Sequence, residues 1–135
     1  GAGAGEGEGE GAARPLVIDR KAALEQCGGE EEFMVELLGD LRDEVNDNTQ
    51  AAVAALKARD MQWADTCRRM AHAMKGAAQN LYCLDIGEVC VRLEHRSKIA
   101  KCDSEHDLAE VTVLVEELME ARRRLVAYIS ESEGL

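Results

Sequence analysis

Residues 60–81 read DMQWADTCRRMAHAMKGAAQNL, and the way their side chains are spaced decides the architecture. Taken at roughly 100° per residue, Trp63, Cys67, Met70, Met74, Ala77 and Leu81 fall on one side as an apolar stripe. The spacing predicts a helix from Met61 to about Leu81, with Asp60 as its cap. His72 points almost directly away from the stripe, on the side that carries Asp65, Arg68, Arg69, Lys75, Gly76 and Gln79. That position excludes a core histidine. Gly76 argues against an ordinary surface one. A glycine inside a helix costs roughly 1 kcal/mol against alanine, and Ala77 and Ala78 stand beside this one. Helical side chains lean toward the N-terminus, so a residue at i+4 covers the turn that holds residue i. A side chain at 76 would shade His72, and its absence leaves the imidazole open. Lys75 leans toward the same ring, while Arg68 and Arg69 add positive charge one turn earlier. An anionic group on His72 would be stabilised there. Two plainer readings compete: Gly76 lets a neighbouring helix approach closely, or the three cations form a solvated face.

Working outward, the same periodicity continues on both sides. Asp19 is a good N-cap for a short helix, Arg20 to Gln26, which Gly28 and Gly29 terminate. Glu30, Glu31 and Glu32 place negative charge where the dipole of a second, long helix favours it. That helix runs through Phe33, Leu37, Leu41, Val45, Ala52 and Leu56. Beyond the quoted stretch, Asp85 with Glu88 reads as a capping box for a fourth helix carrying Ile86, Val89, Cys90 and Leu93. Ser104 with Asp107 opens a fifth, with Leu108, Val111, Val115, Leu118, Leu125 and Ile129 on its stripe. No segment alternates with period two. Short loops make successive long helices antiparallel neighbours. The expected fold is all-α, an up-down antiparallel four-helix bundle with an additional short N-terminal helix, spanning residues 16–132. Residues 1–15 open with GAGAGEGEGEGAAR and have nothing to bury; they are expected to be a flexible linker or tail, suited to a larger parent protein.

Composition narrows the function. The chain has 135 residues, enough for one domain. A formal net charge of −11 argues against nucleic acid or an anionic membrane as partner, since both demand a basic footprint. Cys27, Cys67, Cys83, Cys90 and Cys102 form no C-x-x-C pair, and their odd number points to reduced thiols and a cytoplasmic location. No apolar run reaches the length of a membrane span. A monomer is expected.

The stretch Ala71-His72-Ala73-Met74-Lys75-Gly76-Ala77-Ala78-Gln79-Asn80-Leu81 resembles the signature of histidine-containing phosphotransfer (HPt) domains, in which His is followed by an apolar residue, Lys-Gly and small residues. Asp19 to Gly29 is similar to the family's opening helix and double glycine. Asp60 to Ala71 resembles its lead-in to the histidine, and Cys90 to Glu94 its following helix ending in Leu-Glu. The resemblance covers roughly Val17 to Ile129. It implies phosphorelay signal transduction: His72 accepts a phosphoryl group from the phosphoaspartate of a receiver domain and passes it to another response regulator. An exposed imidazole suits this, being largely unprotonated and nucleophilic at neutral pH. The resemblance also implies that Lys75 steadies the phosphoryl oxygens and Gly76 grants access, with Arg68, Arg69, Gln79 and Asp65 as a partner-binding rim. The receiver is expected to supply the divalent metal ion and the aspartate, so this chain needs no cofactor, nucleotide site or catalysis of its own. A hybrid sensor histidine kinase is a further expected partner. The chain departs from the family at Tyr82, where a glycine usually follows the helix; Asn80, which tolerates the left-handed conformation, is expected to end the helix instead.

Competing readings fare less well. The phosphoacceptor helices of a sensor histidine kinase carry an acidic residue directly after the histidine and a proline shortly beyond, where this chain has Ala73 and Gly76. A metal-binding bundle needs inward carboxylates from several helices. Asp103 with His106, and Glu94 with His95, lie off the apolar stripes, so no metal is expected and both histidines are assigned to the surface. The remaining alternative is an interaction bundle that keeps the fold without being phosphorylated, and it would be indifferent to changes at His72.

Overall fold

The computed structural model describes residues 14–135, so the linker or tail expected at 1–15 lies outside the described residues except for its last two. Five helices follow in order: α1 (Arg20–Gln26), α2 (Glu31–Ala58), α3 (Trp63–Asn80), α4 (Leu84–Ile99) and α5 (Glu105–Glu133). The four long ones close a ring in which α2 packs on α3 and α5, while α4 packs on α3 and α5. The links at 59–62, 81–83 and 100–104 are too short for anything but reversal, which gives the up-down bundle that the loop lengths predict. Among the described residues there is no strand.

The core is aliphatic. Met34, Leu38 and Val45 of α2, Met74 of α3, Ile86 and Leu93 of α4, and Leu118, Leu125 and Ile129 of α5 are all buried. Trp63 is the one fully buried aromatic among the described residues, and its indole N–H donates to the carbonyl of Cys102 at 3.0 Å. That bond satisfies the ring's polar edge and ties the start of α3 to the α4–α5 loop.

Two helices are rotated from the faces expected of them. In α2, Met34 and Leu38 face inward, whereas Phe33 is 47% exposed and Leu37 and Leu56 are half-buried. In α3, Ala71 and Ala78 are fully buried, and Met70 and Ala77 only partly so. The buried face of α3 is thereby turned by roughly 40° at 100° per residue. This face packs on α4 and α2, and Gly87 of α4 faces Gln79 and Ala78 of α3, where an added Cβ would lie 3.6 Å from Gln79 Cγ and 4.0 Å from Ala78 Cβ, ordinary contact distances.

Caps explain where most helices begin and end. Asp19 accepts the N–H of Ala22 at 3.1 Å, and Ser104 accepts that of Asp107 at 3.0 Å, both as expected. Gly28 and Gly29, with φ of +69° and +79°, take the left-handed turn after α1. Three expectations are corrected. Asp60 accepts the N–H of Gln62 in the turn before α3, whose cap is Gln62. Asp85 does not cap α4, which begins at Leu84 with Cys83 as its cap. Instead Asp85 is 2% exposed and accepts two hydrogen bonds from Arg124 of α5, at 2.7 and 3.2 Å. A buried carboxylate needs such a partner. At the other end of α3, Asn80 stays helical, and Tyr82 itself adopts the left-handed conformation at φ +55°.

That turn helps to seat α1. The N–H of Asp19 donates to the carbonyl of Tyr82 at 2.9 Å, and the N–H of Asp85 donates to that of Leu16 at 2.9 Å. Arg20 reaches Glu133 at the end of α5, at 2.9 Å, and also pairs with Glu31 at the start of α2. The short helix is thus fastened across one end of the bundle. No helix among the described residues is long and apolar enough to cross a membrane.

Candidate functional site

His72 lies midway along α3, near the seam with α4 rather than opposite the core, because of the rotation described above. Its side chain is 66% exposed. Nδ1 stands 2.8 Å from Oε2 of Glu94 on α4, while Nε2 has no partner among the described residues. The second carboxylate oxygen of Glu94, Oε1, takes Nζ of Lys75 at 2.7 Å. One acidic side chain on α4 therefore holds two neighbouring groups of α3.

Gly76 is exposed, and a methyl group added there would meet nothing within 4 Å. The glycine therefore does not serve the approach of a neighbouring helix, and the space one turn beyond His72 is open. Gln79 is exposed farther along, with its Cγ against Gly87 of α4. Beside it, Cys83, Leu84, Gly87 and Val91 line a groove of about 280 Å³. Tyr82, Leu84 and Val91 expose apolar surface at this end of α3 and along α4.

The cations are less free than their sequence pattern suggests. Asp65 accepts from Arg68 at 2.8 Å and from Arg69 at 3.0 Å, and Lys75 is paired with Glu94. Across these five side chains one net positive charge remains, so the local basic patch expected around His72 is largely neutralised. The pairing shows in the carboxyls. Arg68 and then Arg69 hold Asp65 below the usual carboxylate range, and Lys75 foremost, with His72, does the same to Glu94.

Of the residues singled out in the sequence, His72, Lys75 and Gly76 come together at one place. Asp65, Arg68 and Arg69 form a separate cluster toward the start of α3, and Gln79 lies toward its end. Glu94 was missed as a member of this group. The only signal for it was its place at the end of the Leu-Glu segment, and the sequence reading otherwise weighed it solely as a metal ligand beside His95. His95 and His106 are both exposed, the latter 3.7 Å from Glu110.

Comparison with known proteins agrees with this arrangement. The family model of the Hpt domain matches residues 36–125, a span that takes in α3 and α4 whole. Among solved structures, the chain is similar to the HPT domain of an Hpt sensor hybrid histidine kinase from Shewanella. The TM-score is 0.60 at 19% identity, over 85% of this chain and 95% of that one, a likeness that speaks for the fold. No curated protein matches the sequence. With the family model covering well over half of its length, the chain belongs to the Hpt domain family, the phosphocarriers of two-component phosphorelays that interact there with receiver domains and histidine kinases.

Proposed function

We propose that His72 is the phosphoryl acceptor of this domain, taking the group from the phosphoaspartate of one receiver and handing it to another. The observation that carries this reading is an imidazole two-thirds exposed at the middle of α3, with one ring nitrogen unpartnered and open space at Gly76 beside it. A receiver must bring its own aspartate within bonding distance of that nitrogen, and the open space at Gly76 leaves room for it to do so. Lys75 has three N–H donors and spends one on Glu94, so two can reach phosphoryl oxygens. Arg68, Arg69, Asp65 and Gln79 frame the docking surface as polar groups able to exchange partners, and Leu84 and Val91 extend it with apolar area. The receiver supplies the divalent metal ion; this chain acts as a carrier, without a cofactor or a catalytic cycle of its own. Five free thiols suit a reducing compartment, and we place the domain in the cytoplasm as a monomer.

The test is to mix the purified chain with a phosphorylated receiver and follow acid-labile phosphate. Label is expected on the wild type, His95→Gln and His106→Gln, and absent from His72→Gln. Label persisting on His72→Gln would point to another acceptor, and no label on the wild type would leave the interaction bundle as the better account.

A further inference from the structure

We propose that Tyr82 is a specificity-determining residue: its ring forms the far rim of the docking surface around His72 and decides which receivers bind well, without taking part in the transfer. This deepens the reading of His72 as acceptor and rests on it.

Tyr82 stands in the left-handed region at φ +55°, one of two non-glycine residues there among the described ones. A side chain in that region crowds its own backbone, whereas glycine takes the same conformation freely. The turn itself does not call for a side chain. The N–H of Tyr82 donates to the carbonyl of Gln79 at 3.2 Å, and its carbonyl accepts the N–H of Asp19 at 2.9 Å. Glycine would make both contacts. The apolar seal at this end comes from the flanking Leu81 and Cys83, 4% and 0% exposed. Tyr82 itself is 37% exposed, and no hydrogen bond holds its hydroxyl among the described residues. The chain thus bears a strained turn for a ring whose polar end the fold leaves unused, and strain of this kind points to function.

Its place says which function. Tyr82 lies in the turn that joins α3 to α4, the two helices whose seam carries His72 and Glu94. It follows His72 by ten residues, which at 1.5 Å each is about 15 Å along the helix axis. A stable interface covers about 800 Å² of each partner, the area of a disc of about 16 Å radius. A receiver centred on His72 therefore meets Tyr82 at its edge. Between Tyr82 and Glu94 in the sequence, Leu84 and Val91 are 39% and 44% exposed and line a groove with Gln79 of α3. The rim at this end is aromatic and aliphatic, whereas the one toward the start of α3 carries the charges of Asp65, Arg68 and Arg69. A carboxylate brought against the apolar end loses water and gains no partner. A receiver with Asp or Glu there is rejected. One with an aliphatic side chain there, and an acceptor for the phenol hydroxyl beside it, is favoured. The ring stands far from the reacting nitrogen, so it changes how much receiver is needed and not the rate once the receiver is bound.

Tyr82→Gly removes the ring and suits the left-handed turn. It is expected to melt within a few degrees of the wild type. With the phosphorylated receiver that labels the wild type best, it should need about tenfold more receiver for half-maximal rate, at an unchanged rate under saturation. A receiver that labels the wild type poorly should lose less, so the preference between the two shrinks. Tyr82→Phe keeps the ring and should stay within about threefold of the wild type in half-saturation. The proposal is overturned if Tyr82→Gly melts about ten degrees lower or fails to fold, which assigns the ring to the fold. It is equally overturned if half-saturation does not move, or if the loss falls on the rate under saturation. A His72→Gln control separates the two levels. Label on that variant removes the acceptor reading itself, whereas its absence, together with label on the wild type and unmoved half-saturation in Tyr82→Gly, removes only the role of Tyr82.

Discussion

At position 76 the helix carries a residue that weakens it, in a place where alanine would meet nothing within 4 Å. The backbone there is ordinary α-helix, with no positive φ to explain the glycine. Gly76→Ala should therefore stabilise the domain by about 1 kcal/mol, raising the melting midpoint by a few degrees. Phosphoryl acceptance should fall at the same time, and Gly76→Leu should fold as well while losing at least about tenfold in transfer through blocked approach. Melting by circular dichroism and the rate of label uptake, measured on the same preparations, test the pair. Transfer at the wild-type rate in Gly76→Leu would mean that the space above His72 is not on the route. This much was legible in the sequence, because residues at i and i+4 of one helix meet whatever surrounds them. Glu94 was not legible in the same way. It lies 22 residues from His72 on another helix, and its contact depends on how α3 is turned about its own axis. That rotation belongs to the packing of α3 between α2 and α4, which neither helix reveals alone.

Element by element, the sequence placed all five helices, since their stripes persist over many turns, but it misjudged faces and caps. In α2 the apolar residues form two adjacent rows, through Phe33 and Leu37 and through Met34 and Leu38, and the neighbours decide which row is buried. Asp85 sits one residue inside α4, where a capping box reads naturally, and only the crossing of α5 brings Arg124 to it. The attachment of α1 is likewise a matter of helix ends meeting. Arg20 there holds Glu133 below the usual carboxylate range, against a smaller opposing effect of burial, with Tyr128 adding a weaker hydrogen bond. The depressed value means that the unfolded chain binds a proton at Glu133 more readily than the folded one. The pair's contribution is therefore complete above the unfolded value of about 4.3 and is lost as pH falls through the folded value. Asp107, held low chiefly by Arg96, and Glu94 and Asp65 titrate with the same sign. The melting midpoint should drop between about pH 5 and pH 3, and Glu133→Gln should start lower at neutral pH and fall less steeply. Parallel curves for the two proteins would show that Arg20 and Glu133 contribute nothing to holding α1.

For the molecule as a whole, the cysteines report whether the ring of four helices opens as one unit. Cys102 is exposed in the α4–α5 loop, whereas Cys27, Cys67, Cys83 and Cys90 are buried. Burial excludes reagent and also pushes the thiols of Cys67, Cys83 and Cys90 up to about 12, so the reactive thiolate is scarce at neutral pH for a second reason. These three residues lie on α3, in the α3–α4 turn and on α4, in the layer that carries His72 and Glu94. If that layer separates from α2 and α5 only when the whole domain unfolds, all three must react at one rate, equal to the rate of global opening. Cys27 caps α1 and is held by the contacts that fasten that helix to the bundle end, so it should react earlier, when α1 detaches. Pulsed alkylation read by mass spectrometry is expected to show Cys102 modified on mixing, then Cys27, then the remaining three together. A separate, faster phase at Cys83 or Cys90 would instead mean that α4 loosens from α3 within the folded state. In that case Glu94 would be held against His72 only part of the time, and the unity of the bundle and the fixed geometry of its phosphotransfer site would fail together.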